Sequence, residues 1–127
     1  MRSDVSRQQI ARAAVEGVVC NLLAGADHLP AAGAVGHVRR VVLVGGGARS
    51  AAYRQVVADL IGHPVVVPEA DEMVARGAAV QAAAVLAGRS PDDVIAAWGA
   101  GAATTVEPDP AVDGAAIRLA YAGVANP

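Results

Sequence analysis

No lysine and no phenylalanine occur among the 127 residues, and aromatic side chains make up only 2% of them. Every basic residue is therefore an arginine. That removes a Walker-type phosphate lysine, a Schiff base and a lysine general base from the chemistry open to the chain. With so few rings, a core has to be assembled from Ala, Val, Leu and Ile packed closely, without large anchors. Cys20 is the only cysteine, which excludes an internal disulfide. Inside an apolar helical run it reads as a small buried side chain, with no nearby cation or helix start to make it a reactive thiolate. His28, His37 and His63 stand apart without ligand-like spacing, so no metal site is expected.

Charge is also scarce. Charged residues are 17% of the chain and the net charge is −2. The scattered arginines make no basic face, which argues against a nucleic-acid partner. No apolar run reaches membrane-spanning length, and Met1-Arg2-Ser3-Asp4 lacks the charged-then-apolar order of a signal peptide. No membrane association and a cytoplasmic location are the expectations. The length suits one domain or part of one.

What the chain does have is glycine in a telling place. Val41, Val42, Leu43 and Val44 read as a strand covered on both faces, and Gly45, Gly46 and Gly47 follow at once. Ser50 then caps a helix over residues 51–61, whose apolar face carries Val56, Val57, Leu60 and Ile61, closed by Gly62. Strand, glycine turn and helix N-terminus aim backbone N–H groups at the space above the strand's carboxyl end. A nucleotide suits that space. A tight connection with nothing bound suits it equally on these residues alone.

Upstream, Ser6 and Gln9 form a capping box before a helix over residues 7–24, with Ile10, Ala14, Val18 and Leu22 as its apolar face and Gly25 as its C-terminal cap. Gly17 in its middle suggests a close packing contact. Residues 29–37 read as a loop. Downstream, Val65 to Val67 form a second strand, so strand, helix and strand make one parallel βαβ unit. Asp71 caps a helix running to about Ala87, with Glu72 in its first turn and a smooth surface at Gly77, Ala78 and Ala79. Ser90-Pro91-Asp92-Asp93 opens a short helix ending near Trp98, a side chain expected to be buried. Residues 99–114 read as loop, and residues 115–122 as a last helix.

A dinucleotide fold is one candidate, because Gly45-x-Gly47 follows a strand and Glu69 lies just beyond the second strand, where an acid binds a ribose. Ser50 occupies its third glycine position, no third strand pattern follows, and a long helix precedes the first strand. A second candidate accounts for more residues. Val42 through Ser50, then Tyr53-Arg54-Gln55, Ala58-Asp59, Pro64-Val65 and Glu72 through Arg76-Gly77-Ala78-Ala79 resemble the C-terminal part of the FGGY carbohydrate kinases, most closely members acting on xylulose. Gln9 through Glu16 is similar to the second half of a signature of that family, with Met1 where an aliphatic residue precedes it. The likeness runs from Met1 to about Trp98.

The resemblance implies an α/β fold: part of a ribonuclease-H-like or actin-like ATPase domain, its C-terminal βαβα portion after a long helix. Residues 1–99 would form the nucleotide-binding part, and residues 100–127 a loop and tail with a short helix. It implies ATP as cofactor, with Gly46, Gly47 and Ala48 approaching the adenosine by backbone, Ser50 offering a hydroxyl, and Arg49 flanking the site or facing solvent. Gln55, Asp59 and Glu72 match family positions as packing or capping residues. The family's general-base aspartate, its phosphate-holding hairpins and its sugar site all precede the region represented, so no catalytic residue and no Mg²⁺ ligand is assigned here. The complete enzyme would move the γ-phosphate of ATP to a ketopentose, D-xylulose first. This chain alone is expected to be inactive, with an open sheet edge through which copies could pair. The alternatives are a truncated, non-catalytic nucleotide-binding or interaction module and, third, an NAD(P)-binding protein.

Overall fold

The computed structural model describes residues 4–28 and 40–125. Five helices and three strands follow in the order α1 (Arg7–Asp27), β1 (Val41–Val42), α2 (Ala51–Ile61), β2 (Val65–Pro68), α3 (Met73–Ala87), α4 (Pro91–Ala97), β3 (Ala103–Val106) and α5 (Gly114–Ala125), with a 3-10 turn over Gly46–Arg49 between β1 and α2. The strands form one mixed sheet in the order β1-β2-β3. β1 runs parallel to β2 and β3 antiparallel to it. The loop expected over residues 29–37 lies outside the described residues.

Local chemistry sets most helix starts. The Ser6 hydroxyl accepts from the Gln9 N–H at 3.2 Å while the Gln9 side chain accepts from the Ser6 N–H at 2.7 Å, closing a capping box. Ser90 and Asp93 close a second box behind Pro91. The end of α2 is set by Gly62, whose φ of +72° is a left-handed cap that glycine adopts without a Cβ clash. By contrast α1 runs through Gly25 and ends at His28. Glu72, not Asp71, caps α3, in a left-handed conformation (φ +53°) and without a side-chain capping bond.

The core lies on one face of the sheet. Val19 and Cys20 of α1, Val56, Val57 and Leu60 of α2 and Val65 of β2 are buried together, with Val41, Leu43, Val106, Ile117 and Tyr121 packed around them. Burial raises the Cys20 thiol above its ordinary range, with Glu16 adding to the rise and Arg118 opposing it, so Cys20 behaves as the small buried side chain expected. On α1 the buried row is Val15, Val19 and Leu23, while Ile10, Val18 and Leu22 of the expected face are 50%, 57% and 59% exposed. Both rows are apolar, and the positions of α2 and α5 decide between them. α3 and α4 make a smaller core of their own from Val80, Ala84 and Val94.

Four further expectations give way. β1 is covered on one face only, because Val42 and Val44 stay 41% and 52% exposed. Residues 99–114 are not all loop: the β-branched run Thr104-Thr105-Val106 forms β3 beside β2. Trp98, the C-cap of α4, is 49% exposed, since α4 packs through Val94. No neighbour comes within 4 Å of a Cβ built on Gly17, so no close approach explains that glycine.

Candidate functional site

A cavity of about 440 Å³ opens at the carboxyl ends of the two parallel strands, within the size range of small-ligand sites. That is where open α/β sheets bind ligands, since the loops leaving the strands diverge there. One wall is the exit of β1: Leu43, Val44, Gly45, Gly46, Ala48 and Arg49. The other is the exit of β2 and the start of α3, with Glu69, Asp71, Glu72 and Met73; Thr104 of β3 and Arg54 of α2 complete it.

The glycine turn has a specific geometry. Gly45 sits at φ +92° and ψ −172°, a region a side chain rarely adopts. From there the chain tightens into the 3-10 turn, with the Ala48 N–H donating to the Gly45 carbonyl at 3.1 Å and the Ser50 N–H to the Gly47 carbonyl at 3.1 Å. The Arg54 guanidinium ties the turn back to α2 by donating to the Ala48 carbonyl.

Of the four nucleotide contacts expected, Gly46 and Ala48 line the cavity, while Gly47 and Ser50 are not among its lining residues. Gly47 faces the Tyr53 ring, and a Cβ there would meet it at 3.0 Å. Ser50 accepts the Tyr53 N–H at 3.3 Å and is the N-cap of α2. Arg49 flanks the cavity, donating to Asp71 at 3.1 Å across its mouth, with both side chains largely exposed. Gln55 and Asp59 hold structure: Gln55 donates to Asp59 at 2.8 Å and to the Glu107 carbonyl at 3.0 Å. Thr104 and Arg54 were not anticipated as lining residues; the β-branched pair Thr104-Thr105 was the available signal for the first.

The charges decide what the cavity can take. Three carboxylates, Glu69, Asp71 and Glu72, face two guanidiniums. Arg54 is engaged with the turn carbonyl, and Arg49 with Asp71. The lining therefore carries one carboxylate more than it has guanidiniums, which disfavours a polyphosphate. A nucleoside, with hydroxyls to donate and a flat apolar base, fits better. Among the described residues no group of three or more His, Cys, Asp or Glu could hold a metal ion.

These features define an α/β protein with a cavity at the strand ends. Residues 1–86 match the model of the FGGY family of carbohydrate kinases, C-terminal domain, and the chain belongs to that family. It is 39% identical over 107 residues to a xylulose kinase of Streptomyces coelicolor, a match covering 84% of this chain and 22% of the relative. A xylulose kinase of Streptomyces rubiginosus is 40% identical over 113 residues, again 84% of this chain and 22% of the relative. One from Haemophilus influenzae is 35% identical over 80 residues, 63% of this chain and 16% of the relative. The chain thus spans about a fifth of the length of the two Streptomyces relatives. No solved structure matches it. No helix among the described residues is long and apolar enough to cross a membrane.

Proposed function

We propose that this chain forms the adenosine side of the ATP site of an FGGY sugar kinase, as the C-terminal portion of an actin-like ATPase domain. The carrying observation is the cavity itself. Apart from Thr104 its lining lies within the family match, between the glycine turn and the start of α3, and its carboxylates suit nucleoside hydroxyls better than phosphates. Gly46 and Ala48 present backbone to the nucleoside. Gly47 and Ser50 act one step back, by seating Tyr53 and by capping α2.

The reaction of the complete enzyme is transfer of the ATP γ-phosphate to a ketopentose hydroxyl. The xylulose kinase relatives support D-xylulose as acceptor. Phosphoryl transfer needs acceptor, metal and phosphates held in line. One wall of a nucleoside site cannot do that, so the chain alone has no kinase activity. A cytoplasmic location accompanies this reading. The dinucleotide alternative loses support from β3, whose antiparallel course departs from a doubly wound parallel sheet.

Titration calorimetry with ADP and with NAD tests the assignment. The expected result is weak ADP binding, no NAD binding, and no xylulose-dependent ADP formation from ATP. A preference for NAD overturns it. So does turnover by the purified chain that disappears when Gly46 is changed.

A further inference from the structure

Arg54 stands where helix electrostatics disfavours it. It closes the first turn of α2 behind the Ser50 cap, a turn that contains no acid. The positive end of a helix dipole attracts carboxylates there and repels cations. No carboxylate compensates, since among the described residues Arg54 forms no ion pair. A residue that breaks a local rule in this way points to a need outside its own helix.

That need lies in the glycine turn. The Arg54 Nε–H donates to the Ala48 carbonyl, and both residues line the cavity. The preceding residue, Tyr53, holds the rest of the turn: its ring lies against Gly47, and its N–H is bonded to the Ser50 hydroxyl. The turn is thus gripped from the α2 side at Gly47, Ala48 and Ser50. On the cavity side nothing lies within 4 Å of a Cβ built on Gly46. A peptide unit is planar, so fixing the Ala48 carbonyl also fixes the direction in which the chain leaves for Arg49, whose guanidinium meets Asp71 at the cavity mouth.

We propose that Arg54 is a positioning residue of the nucleoside site: by pinning the Ala48 carbonyl it sets Ala48 against the ligand and Arg49 at the mouth. The proposal rests on the nucleoside reading above, and the experiment separates the two.

Titration calorimetry with ADP and urea denaturation compare the full chain with its Arg54→Met, Arg54→Lys and Gln55→Ala variants. Methionine keeps an apolar stem and removes the donor. Arg54→Met should bind ADP about tenfold more weakly, the effect of losing a hydrogen bond from a charged donor. Its urea midpoint should stay near that of the parent, because removing a cation from the positive end of α2 offsets the lost bond. Arg54→Lys still offers a charged donor to the carbonyl and should recover affinity to within about threefold of the parent. Gln55→Ala is the control for stability alone. It removes bonds to Asp59 and to the Glu107 carbonyl, away from the turn, so the midpoint falls and ADP affinity holds. Hydrogen exchange without ADP reads the pin directly. In Arg54→Met the Ala48 and Ser50 amides, bonded to the Gly45 and Gly47 carbonyls, should exchange faster, while those of Val57 to Leu60 in the middle of α2 do not change. Unchanged exchange at Ala48 and Ser50 overturns the proposal. So does an ADP affinity that follows the urea midpoint across all three variants. Equal ADP binding by the parent and Arg54→Met defeats the positioning role alone. A parent chain that binds no ADP defeats the nucleoside reading, and the exchange rates then still judge the hold of Arg54 on the turn.

Discussion

A Cβ atom on Gly114 would stand 2.0 Å from the carbonyl oxygen of Asp59. The first turn of α5 therefore lies directly on the backbone of α2, closer than any side chain permits. Gly114→Ala forces the two helices apart and should cost about 2–3 kcal/mol, the upper range for overpacking against an unyielding neighbour. Gly17→Ala is the contrast. Nothing lies within 4 Å of a Cβ at that mid-helix position, so alanine should stabilise by about 0.5–1 kcal/mol. Urea denaturation of both variants checks the pair. Equal effects would mean that α5 is not seated on α2.

Asp59 joins three parts of the chain from a site only 3% exposed. Its carboxylate accepts from the Gln55 side chain at 2.8 Å and from the Asp109 N–H at 2.9 Å, and Arg12 of α1 lies 3.7 Å away. Removing it takes the side-chain acceptor from the Asp109 N–H and one of two acceptors from the Gln55 amide, and frees the β3–α5 connection. Asp59→Ala should cost about 2–3 kcal/mol. Arg12→Ala should cost under about 1 kcal/mol, because that guanidinium is half in water and also pairs with Glu16. A larger loss for Arg12 than for Asp59 would show that the ion pair, not the backbone anchor, holds this corner.

The glycines of the turn separate fold from binding. Gly45 needs its positive φ, so Gly45→Ala should destabilise by about 1–2 kcal/mol. Gly46 has open space around it and lines the cavity. Gly46→Val should leave the urea midpoint nearly unchanged yet weaken ADP binding about tenfold, the equivalent of about 1.4 kcal/mol. Unchanged ADP affinity in Gly46→Val would remove the turn from the site.

Much of this was legible because short-range chemistry writes itself into single residues. Ser6 with Gln9, Ser90 with Pro91 and Asp93, and Gly62 each announce a helix end by a bond or a φ value that depends on a few neighbours. The parallel pairing of β1 and β2 follows from strand, helix and strand in close succession. Features set by distant packing were not legible. Two apolar rows compete on α1, and only the placement of α2 and α5 selects Val15, Val19 and Leu23. β3 hides among Gly99, Gly101 and Pro108, since a four-residue strand needs β2 beside it to exist. At the site, position in the motif did not separate Gly46, which faces the cavity, from Gly47, which faces Tyr53.

Acid should release α4 through its capping box. The Ser90 hydroxyl first, and then the Ser90 backbone N–H, hold the Asp93 carboxyl below the ordinary carboxylate range, with Arg89 assisting and slight desolvation opposing. A carboxyl depressed on folding favours the folded state above its unfolded pKa of about 3.9, and loses that contribution as pH falls through the folded value. The start of α4 should accordingly fray as the solution is acidified below about pH 4. Trp98 caps the other end of this short helix, its N–H donating to the Val94 carbonyl at 2.9 Å. As the sole tryptophan, it reports on the helix by fluorescence. Asp93→Asn should flatten the acid limb of the Trp98 signal while leaving the spectrum at neutral pH close to that of the parent chain. An acid limb of the same size and midpoint in Asp93→Asn would place the titrating group elsewhere and leave the box without a part in the pH response.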